Sequence, residues 1–114
     1  MMAVGASGII SVASNIIPAE VSKMAQAALD GDFATALAIH RKYYPLYRDL
    51  FIESNPIPIK AAMADLGMIA EEYRLPLCEM TATNRDKLRA TLSRVGLLTG
   101  KDNSGKIDTK NLDF

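Results

Sequence analysis

Few residues in this chain are of a type and spacing that could do chemistry. His40 is the sole histidine and Cys78 the sole cysteine. A metal centre draws on several His, Cys, Asp or Glu ligands, and a nucleophilic cysteine needs a base beside it. His40 falls on an apolar stripe of a long helical pattern and reads as a core or interface histidine. Cys78 sits in "RLPLCEM" and reads as a buried, inert thiol. Lys60 follows two prolines in "NPIPIK". As a Schiff-base amine it would need a desolvated pocket or a neighbouring cation to lower its pKa. The ordinary reading is a solvated first-turn lysine, or one paired with Asp65 or Glu53.

Two loops resemble ion sites and fail on inspection. "GASG" at residues 5–8 has the composition of a phosphate loop, but such loops follow a strand and open a helix, and here the glycines come first. "GKDNSGKIDTKN" has the cadence of a calcium loop, yet its first and last ligands would be Gly100 and Asn111, where carboxylates are required. Tyr43, Tyr44, Tyr47 and Tyr73 lack the interleaved basic residues of a stacking platform and read as packing residues. The residues themselves assemble no catalytic centre, no metal site and no cofactor pocket.

The elements that would position these groups are mostly helical. "GIISV", about residues 8–13, is β-branched and bounded by glycine and small residues, so it reads as a strand buried on both faces, without a second strand in the chain to pair with. Pro18 opens a helix running to about residue 30, with Val21, Met24 and Ala28 on one stripe and Gly31 as its stop. Asp32 caps a longer helix, making a hairpin. In it Phe33, Leu37, His40, Tyr44, Tyr47 and Phe51 form one stripe, and Ala36, Ile39, Tyr43, Leu46 and Leu50 a second beside it. A face this wide predicts burial on more than one side, with a kink at Pro45. Asn55 then caps a helix closed by Gly67, residues 68–73 add a helical turn, and "RLPLCEM" is extended. Thr83-Asn84-Arg85-Asp86 resembles a capping box for a last helix that stops at Gly96, with Leu97 and Leu98 folding back over its end. Residues 99–114 are polar and turn-rich, a tail or arm.

The totals suit a globular domain. The chain has 114 residues, 49% of them hydrophobic and 23% charged, with 13 basic against 13 acidic side chains. A zero net charge offers no footprint for nucleic acid or an anionic membrane. Residues 1–22 lack a positive n-region, and glycines, serines and Asn15 dilute their apolar run, so neither a signal peptide nor a membrane span is expected. One cysteine excludes an internal disulfide and fits a cytoplasmic protein.

Four stretches together resemble the C-terminal part of the dihydrodipicolinate synthase (4-hydroxy-tetrahydrodipicolinate synthase) family: "GIISVASN", "MAQAALDGDFATALAIHRKYYPLYRDLF", "NPIPIKAAMADLG" and "RLPLCEMTATNRDKLRATLSRVGLL". They span nearly all of residues 1–98. The resemblance implies that residues 1–31 are the last strand and helix of a (β/α)8 barrel, that 32–98 form its appended helical domain, and that 99–114 lie past the family's usual end. The chain's fold class is then mainly α with one orphan strand, taken from an α/β parent whose barrel alone needs about 250 residues.

The same resemblance implies the parent's chemistry: condensation of pyruvate with aspartate semialdehyde in lysine biosynthesis, through a Schiff base on a barrel lysine, by a homo-oligomer. That lysine, its tyrosine relay and a Thr-Thr pair belong to strands outside this chain, and Lys60 does not match the Schiff-base position. Ile10 alone carries over, as a residue lining the pyruvate pocket. The expectation is a catalytically silent part of a lyase. Its rival is a free-standing helical module that binds a partner or itself.

Overall fold

The computed structural model describes residues 1–98, so the expected tail at 99–114 lies outside the described residues. Four α-helices follow two short 3-10 turns, at Met2–Val4 and Ala13–Asn15: α1 Pro18–Leu29, α2 Phe33–Asp49, α3 Ile57–Asp65 and α4 Ala82–Arg94. α1 packs along α2, α2 and α3 both pack on α4, and the Ala13–Asn15 turn rests on α1 and α3.

The helix ends follow local chemistry. Gly31 has φ 81°, Gly67 φ 71° and Gly96 φ 84°. Each sits just past its helix with the same pair of bonds: Gly31 N to Ala28 O and Asp32 N to Ala27 O, Gly67 N to Ala64 O and Met68 N to Met63 O, Gly96 N to Ser93 O and Leu97 N to Leu92 O. This is the Schellman arrangement, which satisfies the last carbonyls of each helix. A Cβ on Gly31 would meet nothing within 4 Å, so its substitution tests backbone strain alone. Gly31→Ala is expected to lower stability by about 1 kcal/mol, with Gly31→Asn losing less, both read from urea denaturation. At the other end, Asp32 caps α2 by accepting from Thr35 N at 3.0 Å and from Thr35 Oγ1 at 2.6 Å.

Five expectations need correction. The stretch at 8–13 is no strand, and none occurs among the described residues. Strand geometry is held by a neighbour's N–H and C=O groups. Here the only bonds available are local: Ser14 Oγ donates to Ser11 O at 2.5 Å and Asn15 N to Val12 O at 3.2 Å, curling the end into a 3-10 turn. Residues 68–73 are irregular, because Gly67 in the left-handed region has already closed α3. "RLPLCEM" is bent, not extended, by a turn from Leu77 N to Arg74 O across the cis Leu75–Pro76 peptide. Two caps also shift. Pro56 stands at the N-cap of α3 in place of Asn55, with a turn closed from Ile57 N to Ser54 O. α4 is capped by Thr81, whose hydroxyl accepts from Asn84 N at 3.4 Å, two residues ahead of the expected box.

The core lies between α2, α3 and α4. Leu46, Leu50, Leu88 and Leu92 are wholly buried, joined by Ile39, Tyr43, Ile57, Ile59, Ala61 and Ala62. Leu97 and Leu98 pack against it, as their position after Gly96 predicts. α2 runs unbroken through Pro45 to Asp49.

Of the two stripes on α2, the structure buries most of the second, and of the first only Tyr47 packs partly against the core. Phe33, Leu37, Tyr44 and Phe51 of the first are 46%, 45%, 51% and 60% exposed, and His40 is exposed among them. The width of the apolar surface was legible in the pattern; that one side would stay open was not.

Candidate functional site

Burial and pairing explain most of the polar groups. The strongest cluster ties α3 to α4. Asp65 is the last residue of α3, where a carboxylate meets the negative end of the helix dipole. Arg85 answers it with two bonds, Nε at 2.9 Å and Nη2 at 2.7 Å, and Arg89, one turn along α4, adds two more at 3.0 and 2.9 Å. Arg85 also grips Glu71, at 2.6 and 2.9 Å, and Glu71 accepts from the Tyr73 hydroxyl at 2.9 Å.

The electrostatics follow from that geometry. Burial works to raise the Asp65 pKa, but the two guanidinium groups outweigh it and hold the carboxyl below its ordinary range. Arg85 fixes Glu71 low as well, with Tyr73 helping. Arg85 is itself pushed above the usual arginine range by Asp65 and Glu71. Burial, then the Glu71 carboxylate, raises the Tyr73 phenol.

A second, smaller group is buried under α2. Asp49 accepts from Arg48 Nε at 2.6 Å and from the buried Thr91 hydroxyl at 2.5 Å, tying α2 to α4. Arg48 holds the Asp49 carboxyl low against the opposing effect of burial. Glu53 plays a similar part at the start of α4, accepting from Thr81 N at 3.1 Å and Asn84 Nδ2 at 3.0 Å. Each carboxylate has its donors, and these clusters fasten helices together. The pairing of Asp65 with Arg85 had no sequence signal, since the partners lie on separate helices. Only the i, i+4 spacing of Arg85 and Arg89 was readable.

The candidate residues from the sequence do not converge. His40 stands exposed against Tyr44 and Tyr47, its ring 5.6 and 5.8 Å from theirs, not in the core. It stands at the rim of the groove between α1 and α2, whose lining it shares with Met24, Phe33, Leu37 and the N-terminal Met1 and Met2. Tyr47 gives its hydroxyl to Met24 Sδ at 3.9 Å across to α1, and burial pushes its pKa up to about 12. Cys78 is exposed rather than buried, because the bend at Leu75–Pro76 leaves its segment on the surface. Lys60 pairs with neither Asp65 nor Glu53, both engaged elsewhere; its Nζ lies 5.3 Å from the centre of the Tyr73 ring. Gly5, in "GASG", ends a 3-10 turn and opens no helix. The calcium-like stretch lies outside the described residues.

Among the described residues, no group of three or more His, Cys, Asp or Glu is placed to hold a metal, and no helix is long and apolar enough to cross a membrane. What remains is a surface. Ile10 is fully exposed and Ile9 45% exposed; they border a groove of about 290 Å³ shared with His40, Tyr47 and Phe51. It adjoins a larger apolar groove of about 630 Å³ between α1 and α2, lined by Met24, Ala28, Phe33 and Leu37. The polar side chains of the smaller groove are Ser11, His40 and Tyr47, and the larger one is apolar apart from His40.

The chain is 52% identical over 97 residues to the 4-hydroxy-tetrahydrodipicolinate synthase of Aquifex aeolicus (strain VF5), covering 85% of this chain and 33% of that protein. The crystal structure of dihydrodipicolinate synthase from Aquifex aeolicus superposes with a TM-score of 0.80 at 52% identity, over 82% of this chain and 32% of that one. The chloride-inhibited dihydrodipicolinate synthase of Acinetobacter baumannii, crystallised in complex with pyruvate, matches with a TM-score of 0.80 at 39% identity, over 83% of this chain and 33% of that one. The chain thus spans about a third of the length of the curated relatives it matches. The model of the dihydrodipicolinate synthetase family matches residues 1–95, nearly the whole described chain, and the protein belongs to that family.

Proposed function

We propose that this chain is the C-terminal third of a pyruvate-dependent Schiff-base lyase that condenses pyruvate with aspartate semialdehyde for lysine biosynthesis, in a cytoplasmic homo-oligomer. In that reading residues 1–31 are the last strand-and-helix unit of the barrel, 32–98 its helical domain, and Ile10 a wall of the pyruvate pocket. The observation that carries it is 52% identity over 97 residues to a synthase of which the chain covers one third. Alone the chain is catalytically silent, because the amine that forms the Schiff base lies outside it.

Grafting supplies the test. A chimaera in which this chain replaces the matched third of the Aquifex aeolicus synthase should condense pyruvate with aspartate semialdehyde, and borohydride should trap pyruvate on it. The chain by itself should trap none. In the chimaera, Ile10→Ala should raise the KM for pyruvate roughly tenfold with kcat little changed. A folded chimaera without activity would sink the reading. The free-standing module is favoured by one observation, the closed core opposite the open face, and it predicts that inactive outcome.

A further inference from the structure

Resting on that reading, we infer that Ser14 is a positioning residue for pyruvate binding. With Ser11 it latches the backbone directly after Ile10, and so sets where the Ile10 side chain is held. Three observations carry this.

The first is the shortness of the lever. Ala13 is 3% exposed and belongs, with Ile16 and Ile17, to the buried core, whereas Ile10, three residues earlier, is fully exposed. The chain therefore leaves the core within residues 11–13, and a rotation there is carried straight to Ile10. No backbone N–H of residues 7–12 donates to a backbone carbonyl among the described residues, so the direction of the stretch is governed from this end.

The second is the latch itself. Ser14 Oγ donates to Ser11 O at 2.5 Å, and Ser14 N donates to Ser11 Oγ at 3.3 Å. The bonding is reciprocal, each serine side chain meeting the other's backbone. Both residues are half-buried, which limits competition from water. Ser11 follows Ile10 directly, so a tied Ser11 carbonyl holds the chain within one residue of Ile10. Asn15 takes the next carbonyl, Val12 O, from Nδ2 at 2.9 Å and from its backbone N at 3.2 Å.

The third is that the turn is held without Ser14. Asn15 N on Val12 O closes it, Ile16 N and Ile17 N both donate to Ala13 O, at 3.0 and 2.9 Å, and three of its side chains are buried. The bonds of Ser14 fall on the Ile10 side of that turn. Their loss should free Ile10 and leave the fold intact.

The test uses the chimaera and the chain alone. In the chimaera, Ser14→Ala should raise the KM for pyruvate about fivefold, with kcat and the KM for aspartate semialdehyde moving less than about twofold. Ser14→Thr keeps the hydroxyl and should restore the parent KM. Because Ser14 acts through Ile10, the double variant Ile10→Ala/Ser14→Ala should have the KM of Ile10→Ala alone. In the chain alone, Ser14→Ala should speed hydrogen exchange at amide 14 about fivefold after correction for sequence, with amide 17 unchanged. Exchange at amide 14 that does not move shows there is no latch and overturns the inference, whatever the chimaera does. So do additive effects in the double variant, or a Ser14→Ala chimaera that fails to fold, since either makes the role merely structural. An active chimaera in which Ile10→Ala raises the KM and Ser14→Ala does not overturns this inference alone. A folded chimaera without activity sinks the synthase reading and the positioning role with it.

Discussion

Asp65→Ala is expected to cost the fold about 3 kcal/mol, read as a fall in the urea midpoint at neutral pH. The carboxylate is nearly buried, and its removal strands the guanidinium of Arg85, itself 15% exposed, beside Glu71 alone. Losing one partner of a buried pair leaves an uncompensated charge, which is why the expected loss far exceeds that of a surface ion pair. Arg85→Ala should cost less, since Asp65 keeps Arg89 and Glu71 keeps Tyr73.

The pH dependence has a definite sign. Asp65, Glu71 and Asp49 are all held below their ordinary values in the folded chain. Their contribution is therefore complete above the unfolded-state range near pH 4 to 4.5, and it is lost as pH falls through the lower folded values. Stability should be level down to about pH 5 and then drop, and Asp65→Ala should flatten that drop. A variant with an unchanged acid limb would show that the carboxylate is not held by the arginines.

How much of this was legible depends on how local each determinant is. Pro18, Gly31, Asp32, Gly67 and Gly96 each act within one turn of the chain, and all five mark helix ends where the pattern puts them. Thr81 and Thr83 both satisfy the local rule for a cap, and the choice between them is made by Glu53, 28 residues away, which receives the Thr81 N–H. "GIISV" has the composition of a strand, but no strand among the described residues pairs with it. Propensity supplies the preference; only a neighbour supplies the bonds. The Asp65 cluster was invisible for a related reason, since no spacing rule connects the end of α3 to the middle of α4. Membership in the synthase family was readable from residues 1–98. Which stripe of α2 faces the core was not, because both are apolar and the partner decides.

That ambiguity makes the second large effect the more informative one. Leu46→Ala should cost about 3 kcal/mol, because Leu46 is wholly buried in the core cluster and truncating it leaves a cavity there. Leu37→Ala, nine residues earlier on the same helix and 45% exposed, should cost under about 0.5 kcal/mol in the chain alone. The two leucines are chemically identical and equally apolar in pattern, so composition and propensity predict the same loss for both. Only their exposure in the folded chain separates them. Once the chain is grafted onto the upstream two thirds of the Aquifex aeolicus synthase, Leu37 should become a core residue and Leu37→Ala should rise toward the 2–5 kcal/mol of a buried leucine, while Leu46→Ala stays where it was. Denaturation of both variants in both settings gives four numbers. A Leu37 penalty that fails to grow on grafting would mean that the open stripe is solvent-facing in the complete enzyme, and the surface would then need an occupant other than the barrel.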